Sequence, residues 1–114
     1  MLKPGRIPCC VPFCRRTGSA EKLELESGSQ IICGKCWRHI TMATRARYRQ
    51  LARRQRRLLA KFEREIAQHE RSGRPMADRR QRQWAMIRER LFDLMDRNWA
   101  HCRREAIERK GGIA

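Results

Sequence analysis

The chain has 114 residues, a formal net charge of +16 from 28 basic and 12 acidic side chains, and only three Trp, three Phe and one Tyr. That is one domain's length with too few large apolar side chains for a conventional core, which favours a metal staple combined with elongated helices. Arginine supplies 23 of the 28 basic groups. Such a charge favours a polyanionic partner, because each neutralised phosphate releases condensed counterions, and the planar guanidinium fork suits phosphate. The plainer alternative is a charge that serves only solubility.

Residues 1–8 form a short basic lead-in with Pro4 and Pro8 and carry no apolar core of a secretory signal. No apolar run is long enough to span a bilayer, so no membrane association is expected. The expected location is cytoplasmic. In that reducing compartment clustered cysteines mean metal more often than disulfides.

Five of the six cysteines lie in the first 36 residues, in two clusters: Cys9-Cys10-Val11-Pro12-Phe13-Cys14 and, after residues 15–32, Cys33-Gly34-Lys35-Cys36. Two close pairs separated by such a loop are how a chain builds a tetrahedral thiolate cage for zinc. Cys14, Cys33 and Cys36 supply three sulfurs. The fourth is Cys9 or Cys10, since both spacings to Cys14 are acceptable. With four thiolates the metal has no open position, which makes it structural. His39, three residues past Cys36, is an alternative ligand that the surplus of thiols makes unnecessary.

Between the metal pairs, Leu23-Glu24-Leu25 alternates, Ser27-Gly28-Ser29 is a turn signal and Gln30-Ile31-Ile32 ends on β-branched residues. The pattern predicts a small β-hairpin within residues 17–32. Its glutamates make this the least basic stretch of the chain. Residues 1–40 are thus expected to form a small zinc-ribbon or treble-clef-like module.

Residues 42–71 contain no Gly or Pro, and Tyr48, Leu51, Leu58, Leu59, Phe62 and Ile66 fall on one helical stripe. Arg49, Arg53, Arg56, Arg57 and Arg64 fall opposite. The helix expected over 41–72 carries ten basic and three acidic side chains, a net of +7. Ser72-Gly73-Arg74-Pro75 breaks it, with a turn at 73–75. A second helix is predicted over 76–110, before Gly111-Gly112 opens a tail at 111–114. It places Trp84, Ile87, Leu91, Leu94, Met95, Asn98 and Cys102 on one face. The short connector makes the two helices an antiparallel hairpin, with Trp84 near Phe62, Leu91 near Leu58 and Trp99 near Tyr48. Each helix buries one stripe, so a homodimer or a protein partner on the apolar faces would complete the core. Cys102 reads as a small buried core residue; Asn98 reads either as a register-setting polar group or as an edge position.

No paired carboxylates, Gly-rich phosphate loop or nucleophile–base pattern is present, so neither an enzymatic activity nor a small-molecule substrate is expected. The nucleic-acid candidates are the arginines of the first helix together with Arg15 and Arg16 beside the metal. Arg53, Arg56 and Arg57 repel one another at helical spacing, and an anion would relieve that repulsion.

Ile7-Pro8-Cys9, Pro12, Cys14-Arg15-Arg16-Thr17 and Ile32-Cys33-Gly34-Lys35-Cys36-Trp37-Arg38 together resemble small zinc-finger proteins encoded by phages and prophages. The resemblance covers roughly residues 7–38. It implies that Cys9, in the register of that group's first cysteine, is the ligand rather than Cys10. It implies a phage or prophage origin, and hence the cytoplasm of a bacterial host, but no function. The chain departs from the group's pattern at Cys36, where histidine is the group's residue. The expected function is that of a non-enzymatic zinc-finger protein binding DNA, ahead of RNA, mainly through phosphates. The alternative is a zinc-stapled helical module that docks on a protein.

Overall fold

The computed structural model describes residues 5–25 and 29–110. The Ser27-Gly28 part of the turn signal and Gly111-Gly112 lie outside the described residues. The elements in order are β1 (Arg6–Pro8), β2 (Thr17–Ser19), a one-turn helix α1 (Gly34–Trp37), and two long helices, α2 (Met42–Ser72) and α3 (Asp78–Lys110). The chain divides into two compact units: Met1–Arg45 with Ala100–Ala114, and Ala46–Trp99.

In the first unit β1 and β2 pair antiparallel, Ile7 opposite Gly18. The hairpin therefore brackets the first cysteine cluster and does not lie between the metal pairs as the 17–32 pattern suggested. The reason lies in the backbone bonds. The Cys9 N–H reaches the Arg16 carbonyl at 2.9 Å, which extends the β1–β2 ladder. Residues 20–25 instead close on themselves, with Leu23 N–H bonded to Ser19 O and Leu25 N–H to Ala20 O. Glu24 takes a left-handed φ of 55°, so the Leu-Glu-Leu alternation never becomes a strand. Ile31 still joins the sheet through one isolated parallel bridge to Cys9. A Cβ at Gly18 would meet Leu23 Cδ1 at 2.9 Å and Ile31 Cδ1 at 3.0 Å; the glycine is what lets these two side chains close over the strand.

The core of this unit is formed by Ile7, Cys9, Val11, Cys36, Ile40, Cys102 and Ala106, with Thr44 the one buried polar side chain among the described residues. Cys102 and Ala106, both without exposed surface, belong to the last turns of α3. The C-terminal end of that helix is thus part of the N-terminal module. Thr41 starts α2: its Oγ1 accepts from Thr44 N–H at 3.4 Å and its carbonyl accepts from Arg45 N–H at 3.0 Å.

In the second unit, residues 46–72 of α2 and 78–99 of α3 pack antiparallel. Phe62 lies against Trp84, ring centroids 5.0 Å apart. One turn further along α2, Glu65 accepts two bonds from the Arg80 guanidinium (2.6 and 2.9 Å) and one from Trp84 Nε1 (2.8 Å). Leu58 and Leu91 line one groove, as the register read from the sequence required. The connector is longer than residues 73–75. Gly73 takes the left-handed φ of 68° that ends many helices. Pro75 stays in the connector and the next helix begins at Asp78, with Gln81 N–H bonded to Ala77 O.

Candidate metal centre

The sulfurs of Cys9, Cys14, Cys33 and Cys36 all lie within 4.8 Å of one another. Three local structures bring them together. The knuckle after β1 supplies Cys9 and Cys14, the extended residue before α1 supplies Cys33, and α1 itself supplies Cys36. Cys14 and Cys33 Sγ are 3.6 Å apart. A tetrahedral ion with metal–sulfur bonds of about 2.3 Å needs sulfurs roughly 3.8 Å apart, so the arrangement fits such an ion. Four thiolates are compatible with zinc and would fill all its positions.

The surroundings favour a thiolate at Cys14 and oppose one at Cys36. The Cys33 N–H donates to Cys9 Sγ at 3.3 Å. The Arg16 backbone N–H, ahead of the neighbouring thiols, holds Cys14 down to about 6 against its ordinary 9.0. Burial pushes Cys36 up to about 12, against the opposing pull of the Lys110 ammonium. Lys110 Nζ, from the last residue of α3, donates to Cys36 Sγ at 3.2 Å. A buried thiol that resists ionisation beside a fixed cation is a group that a metal would ionise.

Cys10 is outside the cluster. It is half-buried, its N–H bonds to Ile31 O at 2.8 Å, and burial raises its pKa while the Arg103 side chain opposes this. His39 is exposed and also outside the cluster. Cys102 is buried and its thiol is pushed up to about 11 by that burial. Lys110 was legible in the sequence only as a helix-stop residue, since nothing local links it to a cysteine 74 positions away.

The knuckle has a further property. Val11 is buried, whereas Phe13 is 99% exposed and sits at a φ of 69°. For a bulky side chain that conformation is an outlier costing about 1–3 kcal/mol. Arg15 and Arg16 follow, both exposed. In the second unit Arg49, Arg53, Arg56, Arg57 and Arg64 are all exposed along α2. Among the described residues, none of these seven guanidiniums has an acidic partner.

Among the described residues no helix is long and apolar enough to cross a membrane. No family model, no curated protein and no solved structure matches the chain.

Proposed function

We propose that this is a non-enzymatic zinc-finger protein that binds nucleic acid, DNA ahead of RNA, mainly through backbone phosphates. In this reading zinc sits in the cage of Cys9, Cys14, Cys33 and Cys36 and makes residues 1–40 a zinc-ribbon or treble-clef-like module. The observation that carries the binding role is the row of five exposed arginines on α2 that have no acidic partner among the described residues. They span an arc of roughly 100° on a helix about 46 Å long. Arg15 and Arg16 add charge at the metal module. The resemblance of residues 7–38 to phage and prophage zinc fingers supports a bacterial cytoplasm as the site of this work.

The test is affinity for duplex and single-stranded oligonucleotides against salt. Log K falls steeply with log salt for the native chain. Replacing Arg53, Arg56 and Arg57 by Gln reduces the slope by about one unit per lost phosphate contact. Absence of binding to any strand at low salt overturns the proposal.

A second reading rests on the apolar groove of the second unit, about 450 Å³, lined by Leu58, Leu59, Phe62, Ile87, Leu91 and Phe92. Leu59 and Phe92 remain 49% and 45% exposed there. As a zinc-stapled interaction module, the protein would cover this face with a second copy or another protein. Concentration-dependent sedimentation distinguishes the first of these.

A further inference from the structure

Phe13 is the most exposed large apolar side chain among the described residues. It sits in the knuckle between Cys9 and Cys14. On one side Val11 is anchored in the core at 3% exposure, and the Cys14 N–H bonds to Val11 O at 3.2 Å. On the other, Cys14 belongs to the sulfur cluster and receives the Arg16 backbone N–H. Between these two fixed points the chain turns through a single left-handed residue. Glycine adopts that conformation freely, yet the position holds a phenylalanine aimed entirely at solvent. Backbone strain combined with full exposure between two anchored residues points to a contact residue.

The chemistry around it selects the contact. Arg15 and Arg16 follow within two and three residues, both exposed and without acidic partners among the described residues. An exposed ring with two exposed arginines close by in sequence matches a nucleobase and its neighbouring phosphates, since bases stack on aromatic side chains while cations track the backbone. The arginine face of α2 offers no aromatic: Tyr48 and Phe62 lie on the opposite stripe. That face can neutralise phosphates but cannot stack.

We propose that Phe13 is a base-stacking residue that engages an unpaired nucleobase, with Arg15 and Arg16 holding the adjacent phosphates. The inference rests on the nucleic-acid reading above and adds a preference for single-stranded or locally opened segments. Bases inside an intact duplex present no free face, so they do not engage the ring. Phe13 has only two side-chain torsions to fix, which keeps the ordering cost of a stack low.

The experiment uses the full zinc-loaded chain with a short single strand carrying 2-aminopurine, the same strand as a duplex, and two variants. Phe13→Gly removes the ring and relieves the left-handed strain, so the fold is kept; Phe13→Trp keeps a stacking surface. In the native chain the single strand's 2-aminopurine fluorescence changes on binding. Phe13→Gly abolishes that change and weakens single-strand binding about tenfold, the scale of one aromatic–base stack. Its duplex affinity and salt slope stay as in the native chain, and Phe13→Trp restores the single-strand signal. Phe13→Gly with native single-strand affinity and signal overturns this inference while leaving phosphate binding intact. Failure of the native chain to bind any strand overturns the nucleic-acid reading and this inference together.

Discussion

Lys110 Nζ donates to Cys36 Sγ across 3.2 Å and 74 residues of sequence. The last residue of α3 thus touches one corner of the sulfur cluster, and the contact ties the end of that helix to the first forty residues. Outer groups of this kind orient a ligand and offset the cage's negative charge. Replacing Lys110 by Met is expected to weaken zinc binding about tenfold, the lower end of what such partners contribute. Competition against a chromogenic chelator measures it; unchanged affinity would show the ammonium to be a bystander.

The geometry of the cluster favours Cys9 over Cys10. Cys9→Ser is expected to lose stoichiometric zinc and Cys10→Ser to keep one zinc per chain, because Cys10 lies outside the group of four. Elemental analysis of the two purified variants separates them. Equal loss in both would mean that Cys10 takes part.

Acid should act on the second unit through Glu65. The Arg80 guanidinium, outweighing the cost of burial, and the Trp84 indole hold its carboxyl at about 2 against an ordinary 4.5. A carboxyl depressed in the folded state adds stability that is fully present above 4.5 and is lost as pH falls through about 2. Thermal midpoints of the native chain and Glu65→Gln at pH 6, 4 and 2 are expected to differ most at pH 6 and to converge at pH 2. A constant difference across that range would contradict this role for the ion pair.

Gly18 makes a steric prediction. A valine there would drive its side chain into Leu23 and Ile31, whose Cδ1 atoms already stand 2.9 and 3.0 Å from an added Cβ. The expected cost is about 1–3 kcal/mol. Gly18→Ala should cost less, because the opposing atoms are the ends of movable side chains. Denaturant midpoints of the two variants give the ordering.

The long elements were legible because their signals are local and repeated. Apolar spacing and the absence of Gly and Pro gave α2, and Gly73 marked its end. The register that set Trp84 on Phe62 followed from the shortness of the connector. The four-cysteine cluster was legible as spacing, whereas the preference for Cys9 over Cys10 came from resemblance, since both spacings are acceptable. The hairpin was misplaced because Leu23-Glu24-Leu25 mimics a strand. The real partner of β1 is Thr17-Gly18-Ser19, which carries almost no hydrophobic signal and pairs only because the knuckle folds back on itself. Lys110 and the buried Cys102 and Ala106 join the first unit through tertiary packing, which no local pattern encodes.

The central claim is that a metal held by Cys9, Cys14, Cys33 and Cys36 clips the first unit together. The most direct measurement is zinc content with amide hydrogen exchange, before and after chelation. The account predicts one zinc per chain. It also predicts that protection is lost on chelation at β1, β2, α1 and residues 100–110, while residues within 46–99 keep theirs. A chain that purifies without metal and keeps full protection at Cys36 and Ala106 would contradict it.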